Sequence, residues 1–208
     1  MLDLAAILFL AQTCAPQNAP ETLAAVAWTE SRFDPLAIGV NRGPRPPRRA
    51  RDAADAARIA RDLLERGANL DLGLAQINSD NLAWLGLSPE TVFDPCRNLA
   101  AADRVLHAGY RPRAEETPRQ SLRIALSRYN TGHPQRGFRN GYVARVETAA
   151  GTLGLDLRAS TSLPPTTGPA TERRAEEIPV ADWDVFGRAP TDGRLIFAST
   201  AYSTGDQR

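Results

Sequence analysis

The chain contains no lysine: all 25 of its cationic side chains are arginines, set against 24 acidic ones. We attribute the arginine bias to genome composition. The formal net charge of +1 carries no polyelectrolyte signature, which argues against nucleic acid as a partner. Long hydrophobic runs are also missing. The longest near the start, "LAAILFLA" from Leu4 to Ala11, is far too short to span a bilayer. It has the size of a signal-peptide core, but Asp3 stands where a positive flank belongs and no small-x-small cleavage site follows. Residues 1–13 therefore read either as a weak export signal or as a first buried helix. Cysteine is scarce: Cys14 and Cys96 allow one intramolecular bond and no more. In a reducing compartment each reads as a small buried hydrophobe; paired, they would close a loop of roughly 80 residues. His107 and His133 lack metal-ligand spacing, no cofactor or metal is implied, and no internal repeat is visible.

What is present, through the first three quarters, is helical patterning broken by turn chemistry. Pro20 and Glu21 suit a helix start, with the helix ending near Glu30 and Ser31. The prolines of "RGPRPPRRAR", Arg42 to Arg51, exclude regular helix and predict a basic surface loop. Further helices are predicted from about Asp52 to Arg66 with Gly67 as the stop, around Asn81 to Leu85, from Asp94-Pro95 to about Tyr110, from Thr117-Pro118 to about Asn130, and over Tyr142–Ala150. "LDLGLAQIN", Leu70 to Asn78, reads as one short extended segment, with Gln76 on the face of Leu70, Leu72 and Leu74. After Arg158 the Ser/Thr/Pro-rich composition predicts a disordered tail, 159–208. Two apolar islands in it, "IPVADWDVF" and "RLIFASTAY", read as sticky remnants or as a docking motif around Trp183–Phe186.

One stretch is chemically odd. In "AWTESRFDP", Glu30 closes a helical stripe whose other members, Leu23, Val26 and Ala27, are apolar. Burial there, with the negative end of the helix dipole, disfavours ionisation and suits a general acid. The alternative is a glutamate paired with Arg32 or solvated at the helix end. A matching stripe, Leu122, Ala125, Leu126 and Tyr129, ends in a phenol whose hydroxyl wants a partner when buried. Trp28 lies nearly opposite Glu30 on its helix and reads as core; Trp84 is a candidate for the flank of a cleft. Asp34 and Asp71 read as turn or cap residues.

"ESRFDPLAIG", "GLAQIN" and "ALSRYNTG" occur here in the order found in SLT-type lytic transglycosylases, which have a lysozyme-like fold. With "CAP" near the start, "PLAIGV" and "FDPCRNL", the chain most resembles the VirB-type branch from type IV secretion and conjugation systems. The resemblance covers roughly 11–150. A longer insert between the first two motifs, and Ala75 where the wider family has methionine, are features of that branch. The resemblance implies a mainly helical α+β domain over residues 1–158. It implies peptidoglycan glycan strands as substrate, a periplasmic setting, and secretion-system subunits as partners of the tail. Glu30 is the implied acid, oriented by Tyr129, with Ser31, Gln76, Asn78 and Asn130 binding substrate or supporting the site. The matching cysteines imply a structural disulfide between Cys14 and Cys96. A non-catalytic assembly factor and a water-using muramidase remain as rival readings.

Overall fold

The computed structural model describes residues 1–158. The tail, with its candidate docking motif at Trp183–Phe186, lies outside the described residues. Among the described residues eight α-helices accompany a small sheet: α1 (Leu4–Cys14), α2 (Pro20–Ser31), β1 (Ile38–Arg42), α3 (Ala53–Glu65), β2 (Asn69–Leu72), β3 (Ile77–Asn78), α4 (Leu82–Leu85), α5 (Pro95–Gly109), α6 (Pro118–Thr131), α7 (Arg136–Arg139) and α8 (Tyr142–Thr152). Helix starts follow their caps. Asp52 and Asp94 accept from the backbone N–H three residues on, and Thr117 with Gln120 forms a reciprocal capping box ahead of Pro118. Gly67 follows α3 at a φ of 77°, as a helix-ending glycine should.

The ambiguous N-terminal run is a packed helix. Ile7 and Ala11 are wholly buried, and Cys14 is bonded to Cys96 in the first turn of α5, with the Cα atoms 5.5 Å apart. The loop from α1 to α2 is held by Asp103 of α5, which accepts from the Gln17 N–H (3.0 Å) and the Asn18 side-chain amide (2.6 Å). Helix α2 is consequently central, packed by α1, α5 and α8. All of its residues from Thr22 to Ala27 are buried, so the stripe leading to Glu30 belongs to a helix buried all round rather than on one face.

The sheet departs from the sequence reading. β1 was not anticipated beside the basic loop, and Leu70–Asn78 is a hairpin rather than one strand. Gly73, at φ 76°, breaks the strand, and a turn over Gly73–Gln76 reverses it. The three strands pair antiparallel in the order β1-β2-β3, with Gly39 opposite Asp71 and Asp71 opposite Asn78. No Cβ fits at Gly73: it would lie 2.3 Å from the Asn98 amide nitrogen. That amide donates to the Leu72 (2.9 Å) and Val92 (2.8 Å) carbonyls, while Asn98 Oδ1 accepts from the Ala75 N–H at 2.8 Å. Asn98 of α5 therefore clamps the turn.

Candidate active site

Glu30 sits in the last turn of α2, partly buried, and the backbone beyond it is unusual. Arg32 and Phe33 both adopt left-handed conformations, φ 57° and 64°, and Gln76 in the facing turn has φ 50°. These are the non-glycine residues with positive φ among the described ones, and such conformations are uncommon for side chains of this bulk. Ser31 ties the two segments together: its Oγ lies 2.7 Å from the Leu74 carbonyl. The acid is thus presented by a bent, fastened segment.

The hydroxyl that reaches Glu30 belongs to Tyr142, not Tyr129. Tyr142 donates to Glu30 Oε1 at 2.6 Å, whereas the Tyr129 hydroxyl donates to the Ala75 carbonyl at 2.7 Å. The Tyr129 stripe is buried as its pattern suggested, but its phenol anchors the 73–76 turn instead of orienting the acid. Tyr142 is supported in turn by Asn140, which accepts from the Tyr142 N–H (3.0 Å) and donates to Asn130 Oδ1 (2.8 Å). Asn130 thereby contacts the turn between α7 and α8.

Gln76 is also placed differently. Its amide nitrogen donates to the Gly73 carbonyl (2.9 Å) and to the Ala37 carbonyl (3.3 Å), within the turn rather than on a strand face. Its Oε1 faces Gly39 so closely that a Cβ there would lie 2.6 Å away. Asn78 is buried and donates to Asn69 Oδ1 (2.9 Å) and Asp71 Oδ1 (2.8 Å).

That last contact corrects the reading of Asp71 as a turn or cap residue. It lies inside β2, 1% exposed, with Asn41 donating to its second oxygen at 2.8 Å. Asn41, Asn69, Asp71 and Asn78 form one hydrogen-bonded polar patch on the sheet. Burial pushes the Asp71 carboxyl up to about 6, against the lowering effect of the two amides. Asp34 does act as a turn residue, accepting from the Leu36 N–H at 3.0 Å.

Burial pushes Glu30 up to about 8. The Tyr142 hydrogen bond works against this, the Asp71 charge adds to it, and Arg145 opposes it. These effects together favour the protonated form of the side chain near neutral pH. Trp28 meets Phe33 edge-on, with centroids 5.0 Å apart, and lies under Arg32. Trp84 is covered by Arg104 and donates to Asn81 Oδ1 at 3.2 Å. His133 Nδ1 accepts from the Gln135 N–H at 3.1 Å, a local turn contact. No cluster of three metal-ligating side chains occurs among the described residues.

Comparison with known proteins bears on this geometry directly. The model of the transglycosylase SLT domain matches residues 7–150, which hold every element around Glu30. The chain belongs to the SLT transglycosylase family. This transglycosylase is 40% identical over 178 residues to protein virB1 of Agrobacterium fabrum, covering 85% of this chain and 69% of that protein. It is 38% identical over 151 residues to the type IV secretion system protein virB1 of Brucella abortus, covering 69% of this chain and 63% of the relative. No solved structure matches the chain. The mainly helical architecture with its small sheet is that of a lysozyme-like α+β domain.

Sequence reasoning missed Tyr142, Asp71 and Asn98 in the transglycosylase. Tyr142 begins a third inward stripe, with Val146, Ala149 and Ala150 also buried, and carries its polar group at the helix start rather than the end. Scanning stripes at both ends would have found it. The two tyrosines are expected to separate on substitution. In Tyr142→Phe the acid loses the donor that stabilises its charged form, so the alkaline limb of the pH–rate profile moves above about 8. In Tyr129→Phe the limb stays in place, and losing the bond to the Ala75 carbonyl costs about 1 kcal/mol of stability. A limb that moves in Tyr129→Phe but not in Tyr142→Phe would reverse the assignment.

Proposed function

We propose that the chain cleaves the β-1,4 bond between N-acetylmuramic acid and N-acetylglucosamine in peptidoglycan, leaving a 1,6-anhydro end. The observation that carries this is the Glu30 carboxyl, presented at the end of the buried α2 and accepting from the Tyr142 hydroxyl at 2.6 Å, where burial favours its protonated form. Tyr142 occupies Oε1, so the proton rests on Oε2. Glu30 gives it to the glycosidic oxygen as the C1–O bond breaks and positive charge grows on the muramyl ring. The Glu30 carboxylate then takes the proton of that sugar's C6 hydroxyl, whose oxygen bonds to C1. Glu30 ends protonated again and no water is consumed. Ring closure is intramolecular, so proximity replaces an activated nucleophile.

Asp71 is assigned a supporting charge in this scheme. Both of its oxygens are held by amides, which fixes a carboxylate near the acid to stabilise the cationic ring. The same carboxylate favours a second reading, a muramidase in which water attacks C1. Product mass separates the two, since hydrolysis adds one water that the anhydro product lacks. The expected products of purified peptidoglycan are anhydro-muropeptides; hydrated ends throughout would establish the muramidase. Asp71→Asn removes a charge that raises the acid's pKa, so the alkaline limb should move down while cleavage slows. The names of the relatives support a periplasmic role in which the enzyme opens the wall locally for a type IV secretion apparatus. No helix among the described residues is long and apolar enough to cross a membrane.

A further inference from the structure

The arginine-rich loop takes no part in the scheme above, yet it builds something. Between it and the start of β1 lies a cavity of about 490 Å³, within the range of small-ligand sites. Its lining is an apolar floor at the half-buried Leu36, Ile38 and Ala50 and a charged rim at the exposed Arg45, Arg48 and Arg49, with the carboxylate of Asp34 beside them. The rim has a fixed shape because Asp55 fastens it. Arg48 grips that carboxylate with both terminal nitrogens, at 2.5 and 2.8 Å, and the Arg51 N–H donates to it at 3.1 Å. Arg48 is therefore committed to structure. Arg49 pairs with Asp34 at 2.6 Å, but its side chain is 86% exposed, and exposed pairs exchange partners at little cost. Arg45 is exposed and meets no acidic partner among the described residues. The uncompensated charge of the rim is at Arg45.

The cavity wall is tied to the turn that faces Glu30. Asp34 on its edge is four residues beyond Glu30, and the Ala37 carbonyl in its wall accepts from Gly73 N–H at 2.9 Å and from Gln76. The turn that braces the acid thus also braces this wall. A bare strand of N-acetylated sugars has no charge for a cationic rim to select. The stem peptide on each muramyl unit does: it carries more carboxylates than amines, spaced by the small methyl groups of alanine. One uncompensated arginine is too little for a phosphate track, which needs several cations along a backbone.

We propose that this cavity binds the peptide stem of peptidoglycan, with stem carboxylates on Arg45 and Arg49 and an alanine methyl on the floor of Leu36 and Ile38. The assignment rests on the peptidoglycan reading above. It makes the loop a device for choosing peptide-bearing muramyl units beside the scissile bond.

The direct test is an NMR titration of the full chain with N-acetyl-L-Ala-γ-D-Glu-meso-diaminopimelate. Amide shifts are expected to cluster at residues 36–38, 45 and 48–50, and Arg45→Glu should weaken binding about fivefold or more, as reversing an exposed charge allows. Absent shifts, shifts elsewhere, or equal binding by Arg45→Glu would overturn the assignment. So would a short oligonucleotide or phosphatidylglycerol vesicles that displace the peptide at comparable concentration. A kinetic arm compares intact peptidoglycan with strands stripped of stems by an amidase. In Arg45→Glu the ratio of kcat/KM on intact to stripped substrate should fall by about the same factor. Equal loss on both would also overturn the proposal. If the parent protein cleaves neither substrate, the catalytic reading fails while the titration still decides the cavity's ligand.

Discussion

Glu30→Gln should fold, release no wall fragments, and outlast its parent in alkaline solution. Loss of cleavage follows from removing the proposed general acid, with a fall of at least about a thousandfold. The gain in stability follows from linkage. The folded protein holds a proton on Glu30 up to about 8, while the unfolded chain releases it near 4.5. Between those values the native state binds more protons than the unfolded one, so stability declines as pH rises through that window. Below it the term vanishes; above it the full penalty applies. The ceiling is about 5 kcal/mol from a displacement of this size, and the residue's partial exposure reduces the expected gap to about 2–3 kcal/mol at pH 8. Glutamine keeps the acceptor for Tyr142 and cannot ionise. Thermal melts of the two proteins should therefore coincide at pH 4, diverge steadily to pH 8, and run parallel beyond. Melts that stay parallel throughout would mean that Glu30 is an ordinary solvated carboxylate.

The second large effect belongs to Cys14 and Cys96. Their bond closes a loop with a sequence separation of 82, for which chain entropy gives about 4–5 kcal/mol. Domains of this kind are stable by only about 5–15 kcal/mol, so the double Cys→Ala variant should lose about a quarter or more of the total. The loss has a structural address. Helix α1 covers the central α2, and without the bond it is held by the burial of residues such as Ile7 and Ala11 and by the Asp103 contacts to Gln17 and Asn18. Urea titration of oxidised parent, reduced parent and double variant checks this. Both treatments should lower the midpoint by the same amount, and a variant as stable as the oxidised parent would refute the account.

The helices were legible because their signals are local: a proline at the first turn, a capping aspartate, a glycine beyond the end. The anomalous carboxyl of Glu30 was legible too, since a carboxylate among Leu23, Val26 and Ala27 breaks a local pattern. Its partner was not. Tyr129 closes an apolar stripe and Tyr142 opens one, and only the crossing of α2 with α8 decides which phenol arrives. The sheet failed for a related reason. Leu70, Leu72 and Leu74 alternate like a strand, but Gly73 turns the chain because Asn98, distant in sequence, is waiting on the other side. Asp71 looked like a turn residue since nothing nearby in sequence reveals the Asn41 and Asn78 amides that make its burial tolerable.

Three left-handed residues, Arg32, Phe33 and Gln76, flank one carboxyl group. Each holds a backbone conformation that costs on the order of 1 kcal/mol or more. At Arg32, whose side chain is exposed, glycine would relieve that cost without opening a cavity, whereas Phe33 is buried against Trp28 and Gln76 is hydrogen-bonded within its turn, so losing either side chain would cost more than the backbone gains. Selection for thermal tolerance alone would therefore favour glycine at Arg32 and loosen the frame of the acid, so hardier variants changed there and recovered without an activity screen should be enriched in poor catalysts.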